Sequence, residues 1–265
     1  MSAAIWGLLW QASCETLYMI GLSGLLACVG GIPLGVLLAV TSSGGLMPSP
    51  WLNRTVGFVV NATRSTPFII LMVAIIPLTR LIVGRSIGTS AAVVPLALAA
   101  LPFMGRLVES ALNGVDGGVV EAAQAMGASP AQIVRKVLFP EAVPDLLRGV
   151  TLMLVNLVGY SAMAGAVGGG GLGDLAIRFG HQRFRPDIML ATIVVMIVMV
   201  QAIQTAGDWT VRAVLRRRGM EGEWRWRDSG VLQLLCFVRW GSGELAPLMG
   251  CGGEAPAVFR WVEFV

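Results

Sequence analysis

Residues 16–53 read TLYMIGLSGLLACVGGIPLGVLLAVTSSGGLMPSPWLN, with no charge between Glu15 and Arg54. About 20 residues of helix cross a ~30 Å hydrocarbon core, so this stretch is long enough to span a bilayer. Charge-free stretches of similar kind separate Arg85 from Arg106, Arg148 from Asp174, and Asp187 from Asp208. A shorter one, 65–79, becomes long enough if Arg80 snorkels toward the headgroups. Inside lipid the backbone must satisfy itself, so each span must be a helix. The expected fold is an all-α polytopic membrane protein with five spans, at about 16–41, 65–84, 87–110, 147–168 and 188–210. The segment before the first span has no Lys or Arg, and the apolar run far exceeds an h-region of about 7–15 residues; the span is read as retained, not as a signal peptide.

Composition agrees. Of 265 residues, 55% are hydrophobic and 13% charged, and the mean hydropathy is +0.77. Soluble domains carry about 25% charged residues. Disorder over most of the chain is excluded, because it needs low hydrophobicity and high charge. A net charge of +4, thinly spread, argues against nucleic-acid binding. Cys14, Cys28, Cys236 and Cys251 have no paired spacing, and His181 is the sole histidine, so neither a disulfide framework nor a metal site is suggested.

Five spans put the termini on opposite sides. No basic residue precedes the first span, whereas Arg135, Lys136 and Arg148 lie between spans three and four, and Arg212, Arg216, Arg217 and Arg218 follow span five. The positive-inside rule then places the N-terminus outside and the C-terminus in the cytoplasm. Arg178, Arg183 and Arg185, between spans four and five, run against it. Residues 54–64, RTVGFVVNATR, are too short to cross and read as an interfacial helix. Ser65 or Thr66 is expected to cap the next helix with Pro67 at its first position, and Pro77 to kink it.

The loop between spans three and four, residues 116–144, reads DGGVVEAAQAMGASPAQIVRKVLFPEAVP. Asp116 is an N-cap candidate. Gly127 suits the left-handed position that ends a helix. Ser129 followed by Pro130 and Gln132 is a capping box with proline at N1, opening a second short helix, 130–138, that should stop before Pro140. The residues alone leave two readings, a structured connection or a docking element. In span four, Asn156, Tyr160 and Met163 fall at i, i+4 and i+7 on one face, a substrate path or else a packed seam; Ser161 is grouped with them. Residues 168–173 match G-x-G-x-x-G but follow a membrane helix, not a strand, so a tight turn is expected instead of a dinucleotide site. Gly31 and Gly35 form a small-xxx-small pair. The only lysine, Lys136, stands between Arg135 and Val137, so no G-K-[ST] phosphate loop exists.

Glu121-Ala122-Ala123, Gly127, Ile133 and Phe139-Pro140 resemble the EAA motif of ATP-binding-cassette (ABC) importer permeases. The resemblance extends over residues 64–71, 76–84, 121–142, 157–173 and 207–214, and in all about 5–217, to the methionine-import permease family. It implies a type I importer permease whose helix pair couples to an ATPase through Glu121, Ala122, Ala123, Gly127, Ser129, Ile133, Arg135 and Pro140. It further implies a homodimer with two ATPase subunits that bind the ATP, no cofactor in this chain, an external substrate-binding protein, and a place in the cytoplasmic (inner) membrane. A permease for another amino acid, a self-sufficient channel or carrier, and a membrane scaffold are the alternatives. Residues 218–265 depart from the family pattern and read as a weakly ordered tail, the product of read-through or sequence error.

Overall fold

A computed structural model describes residues 3–217, and every regular element among them is helical. The tail reading of 218–265 lies outside the described residues. Four helices are long and apolar enough to cross a membrane. A bent pair, Pro50–Ser65 with Phe68–Ala74, would make a fifth if it crosses as one span.

Helix α1 (Ala3–Thr41) begins well before the expected start near Thr16. The packing of Ile5, Leu9 and Ala12, all buried, carries it toward the N-terminus. It lies against α5 (Thr89–Asn113) and α8 (Phe139–Ala166). Met19, Leu96, Met104, Val108, Met153 and Leu157 are among the fully buried side chains on these three helices. Lipid is as apolar as leucine, so close packing, not hydrophobic burial, must hold them. A Cβ on Gly31 would stand 2.9 Å from the Leu101 carbonyl oxygen, and one on Gly35 would stand 2.5 Å from that of Gly105. The small-xxx-small pair is therefore where α1 and α5 bring their backbones together.

The helix expected over 54–64 is α2 (Pro50–Ser65). Trp51 and Phe58 stand exposed on it. Asn53 Nδ2 donates to the Leu38 carbonyl at 2.8 Å, tying α2 to the end of α1. From α5, Arg106 donates to the Gly57 carbonyl (3.3 Å) and Asn61 Oδ1 (3.0 Å), and pairs with Glu109 at 2.6 Å. The chain then turns 104° into α3 (Phe68–Ala74). Here the expected cap fails. Ser65 and Thr66 hydroxyls donate backward, to the Asn61 and Ala62 carbonyls, and Pro67 itself is the N-cap. A hydroxyl within reach of its own preceding turn is satisfied there. The expected kink at Pro77 is an interruption of the helix: α3 ends at Ala74, Ile75 closes it, and Pro77 lies in the first turn of α4 (Ile76–Val83).

Two short helices follow α5, α6 (Gly117–Ala125) and α7 (Pro130–Ile133). Contrary to expectation, the second does not stop before Pro140. A wide turn of π geometry, Val134–Leu138, runs straight into α8. The turn shifts the hydrogen-bond register by one residue, so Phe139 N–H reaches the Val134 carbonyl. That shift comes just where Pro140 has no N–H to offer, which is why proline is tolerated inside a continuous helix of Pro130–Ala166. After α8 come α9 (Gly171–Leu175), a second π segment Ala176–His181, and α10 (Pro186–Arg217).

Candidate translocation face and coupling helices

The helix pair is built by three local locks. Asp116 Oδ1 accepts from Gly118 N–H at 2.8 Å and starts α6. Gly127, at φ 78°, ends it; its N–H donates to the Gln124 carbonyl and Ala128 N–H to that of Ala123, a Schellman closure. Ser129 and Gln132 exchange both bonds of the capping box, at 2.9 and 3.4 Å, and start α7. Glu121, Ala122, Gly127, Ser129, Arg135 and Pro140 are exposed. Ala123 and Ile133 are not, at 4% and 1% exposure. Both pack into the core cluster and hold the pair in place, so they cannot themselves touch a partner. Sequence reasoning missed Met126, 82% exposed at the apex of the turn. Its only signal was an apolar residue directly before the helix-ending glycine.

On α8, Asn156 is exposed, Met163 is 48% exposed and Leu152 is 55% exposed. With Gly159 they form an open stripe opposite the buried Met153, Leu157 and Ala164. Tyr160 borders the stripe, half-buried, its ring stacked on Phe68 of α3 at 4.7 Å and 10°. Ser161 does not belong to it. At 2% exposure it faces the core and donates to the Val158 carbonyl at 2.7 Å. One residue along a helix is a rotation of about 100°, enough to leave the face its neighbour lies on.

The stripe ends at the glycine turn expected over residues 168–173. Gly168, Gly170 and Gly171 have φ of 85°, 80° and 74°. Two side chains of α1 hold it. Glu15 Oε2 accepts from Gly171 N–H and Thr16 Oγ1 from Leu172 N–H, each at 2.9 Å. Glu15 and Thr16 are the residues the sequence did not announce, because their partners lie 156 positions away. A Cβ on Gly171 would stand 2.6 Å from Thr16 Oγ1 and 2.8 Å from Met19 Cε. Gly171→Ala should therefore destabilise the protein by roughly 2 kcal/mol through overpacking and left-handed strain. Thermal unfolding of the purified protein in detergent checks this, and an unshifted midpoint rejects it.

Residues 31–219 match the family model described as binding-protein-dependent transport system inner membrane component. The chain belongs to this family. It is 58% identical over 210 residues to the probable D-methionine transport system permease protein MetI of Vibrio cholerae, covering 79% of this chain and 93% of that one. The same-named protein of Haemophilus influenzae is 43% identical, over 80% and 100% of the two chains. A solved structure of the MetNI methionine ABC transporter in an inward-facing conformation superposes with a TM-score of 0.79 at 50% identity, covering 81% of this chain and 99% of that one. An amino acid ABC transporter structure at 19% identity and a TM-score of 0.65 shares the fold. The permease is thus an inner-membrane subunit of the helical importer type.

Proposed function

We propose that the permease imports methionine, D- or L- or both, as a homodimer driven by two copies of a separate ATPase and fed by an external substrate-binding protein. The observation that carries this reading is the 58% identity to a D-methionine permease over 93% of that protein's length. The permease occupies residues 1–217, with the N-terminus outside and the C-terminus in the cytoplasm. The exposed edge of α6 and α7 (Glu121, Ala122, Met126, Gly127, Ser129) docks a cleft of the ATPase, with Arg135 and Pro140 beyond it. Because the turn between the two short helices is capped on both sides and α7 runs on into α8, a push on the turn moves α8 as a lever. The chain itself supplies no phosphate loop, so ATP is bound and cleaved by the partner.

The path runs along Asn156, Tyr160 and Met163. Two copies meeting across a two-fold axis bring identical faces together. A narrow apolar constriction of this kind dewets and blocks ions at rest. Opening requires a shift between two global states, which ATP and the loaded binding protein each bias. Reconstituted with its ATPase and binding protein in vesicles, the permease should accumulate labelled methionine only with ATP. Uptake suppressed by another amino acid but not by methionine overturns the substrate. Flux of the permease alone, without ATPase, overturns the class.

The relatives span 93–100% of their own lengths within about four-fifths of this chain. Residues beyond Arg218 are therefore surplus to the transport unit. Truncation there should leave uptake within about twofold of the full chain, less than the ~1.4 kcal/mol that a tenfold loss represents. Loss of uptake at normal expression instead makes the segment regulatory.

A further inference from the structure

Arg178, Arg183 and Arg185 sit on the side that the proposed orientation makes external, where arginine does not help insertion. The structure assigns two of them local partners. Arg178 pairs with Asp174 and Arg185 with Asp187, each at 2.7 Å. Arg183 has no such carboxylate among the described residues; its guanidinium lies over the Phe179 ring, 4.6 Å from the centroid, and Arg178 lies near the same ring at 5.3 Å. Next to it stands Phe184, 86% exposed and at φ 51°, the only non-glycine with positive φ among the described residues. The left-handed region is disfavoured for a bulky aromatic, and so is full exposure to water. The preceding π segment, Ala176–His181, is also an unusual geometry, of a kind frequent at functional sites.

We propose that this segment, 176–187, receives the external substrate-binding protein. Phe184 inserts as an anchor into an apolar depression of that protein, and Arg183, flanked by Arg178 and Arg185, meets carboxylates around it. Three cations against two local carboxylates leave the segment positive, so the matching surface is acidic. Aromatic and arginine side chains are the groups that dominate small interfaces once water is excluded. A lipid-headgroup anchor is the competing use, but interfacial belts favour Trp and Tyr, and they do not need a constrained backbone. The inference rests on the reading of the permease as a binding-protein-dependent importer and on its N-out orientation; it adds the surface and its chemistry.

The test uses the permease–ATPase complex in lipid nanodiscs with its own binding protein. Phe184→Gly removes the anchor while placing the one residue that prefers this backbone, so the loop stays formed and the melting temperature should not fall. Arg183→Glu reverses the unpaired charge. Each should raise the binding-protein concentration for half-maximal ATPase stimulation by about five- to fiftyfold, the range of a good interface contact. Arg183→Glu should also flatten its dependence on salt. Unchanged half-saturation in both variants at low salt overturns the inference. So does a lowered melting temperature that depends on headgroup composition with docking intact, which assigns the segment to lipid. Arg183→Cys labelled by an impermeant maleimide only from the cytoplasmic side locates the failure in the orientation. Wild-type complex that ignores the binding protein locates it in the importer reading.

Discussion

ATP-driven methionine uptake should fall about tenfold in a Gly127→Val permease that still reaches the membrane in normal amount. Gly127 is at φ 78°, and a Cβ there meets nothing within 4 Å. The defect is therefore conformational and not a clash. A β-branched residue in the left-handed region is strained by about 1–2 kcal/mol, a factor of roughly 5–30 in the population of the formed turn. What is lost is the Schellman closure, the pair of bonds from Gly127 and Ala128 back to Gln124 and Ala123. Without it α6 and α7 no longer present Met126 and Ser129 at a fixed angle, and on the proposed coupling the ATPase stroke is not passed to α8. Gly127→Asn, which tolerates the same backbone, should keep most of the uptake. Vesicle uptake together with ATP hydrolysis by the same preparation decides it. Normal uptake by the valine variant removes the turn from the coupling pathway.

Met163→Ala should let small solutes leak through the permease without ATP. Tyr160 is held by its stack on Phe68, whereas Met163 stands clear on the open stripe. A methionine can adapt its shape to fill a gap between two identical faces. Truncating it removes three heavy atoms from each side of a constriction that works by excluding water. Dye release from vesicles should rise several-fold, of the order expected when a barrier loses about 1 kcal/mol. Met163→Cys provides an independent check. If the two copies approach on the axis as disulfide geometry demands, oxidation yields a dimer band, strongest in the resting state. Neither leak nor cross-link in any nucleotide state moves the gate off this face.

Features written in neighbouring residues were legible. Asp116, Gly127 and the Ser129–Gln132 box act over two to five positions, and each was found where the sequence placed it. The tight glycine turn and the small-xxx-small contact of α1 were legible for the same reason. Some local expectations failed. Ser65 and Thr66 donated to their own preceding turn instead of capping the next helix. The helix ran on through Pro140 because a π turn absorbs the missing donor, and no residue pattern marks such a turn.

The candidate site divides along the same line. Position along a helix told which residues share a face but not which face is hidden. Ala123, Ile133 and Ser161 are buried, while Met126 projects into the open, because burial depends on which neighbours pack against each face, and those neighbours are not written in the local sequence. The sequence by itself determined that the chain is helical and membrane-spanning, and that a pair of short capped helices lies between the third and fourth expected spans. Charge-free length and side-chain-to-backbone caps are local quantities, so they survive without knowledge of neighbours. Only the tertiary structure decided that Glu15 and Thr16 hold the glycine turn and that Phe68 holds Tyr160. Those contacts join residues far apart in the chain, and their existence depends on how α1, α3 and α8 pack together.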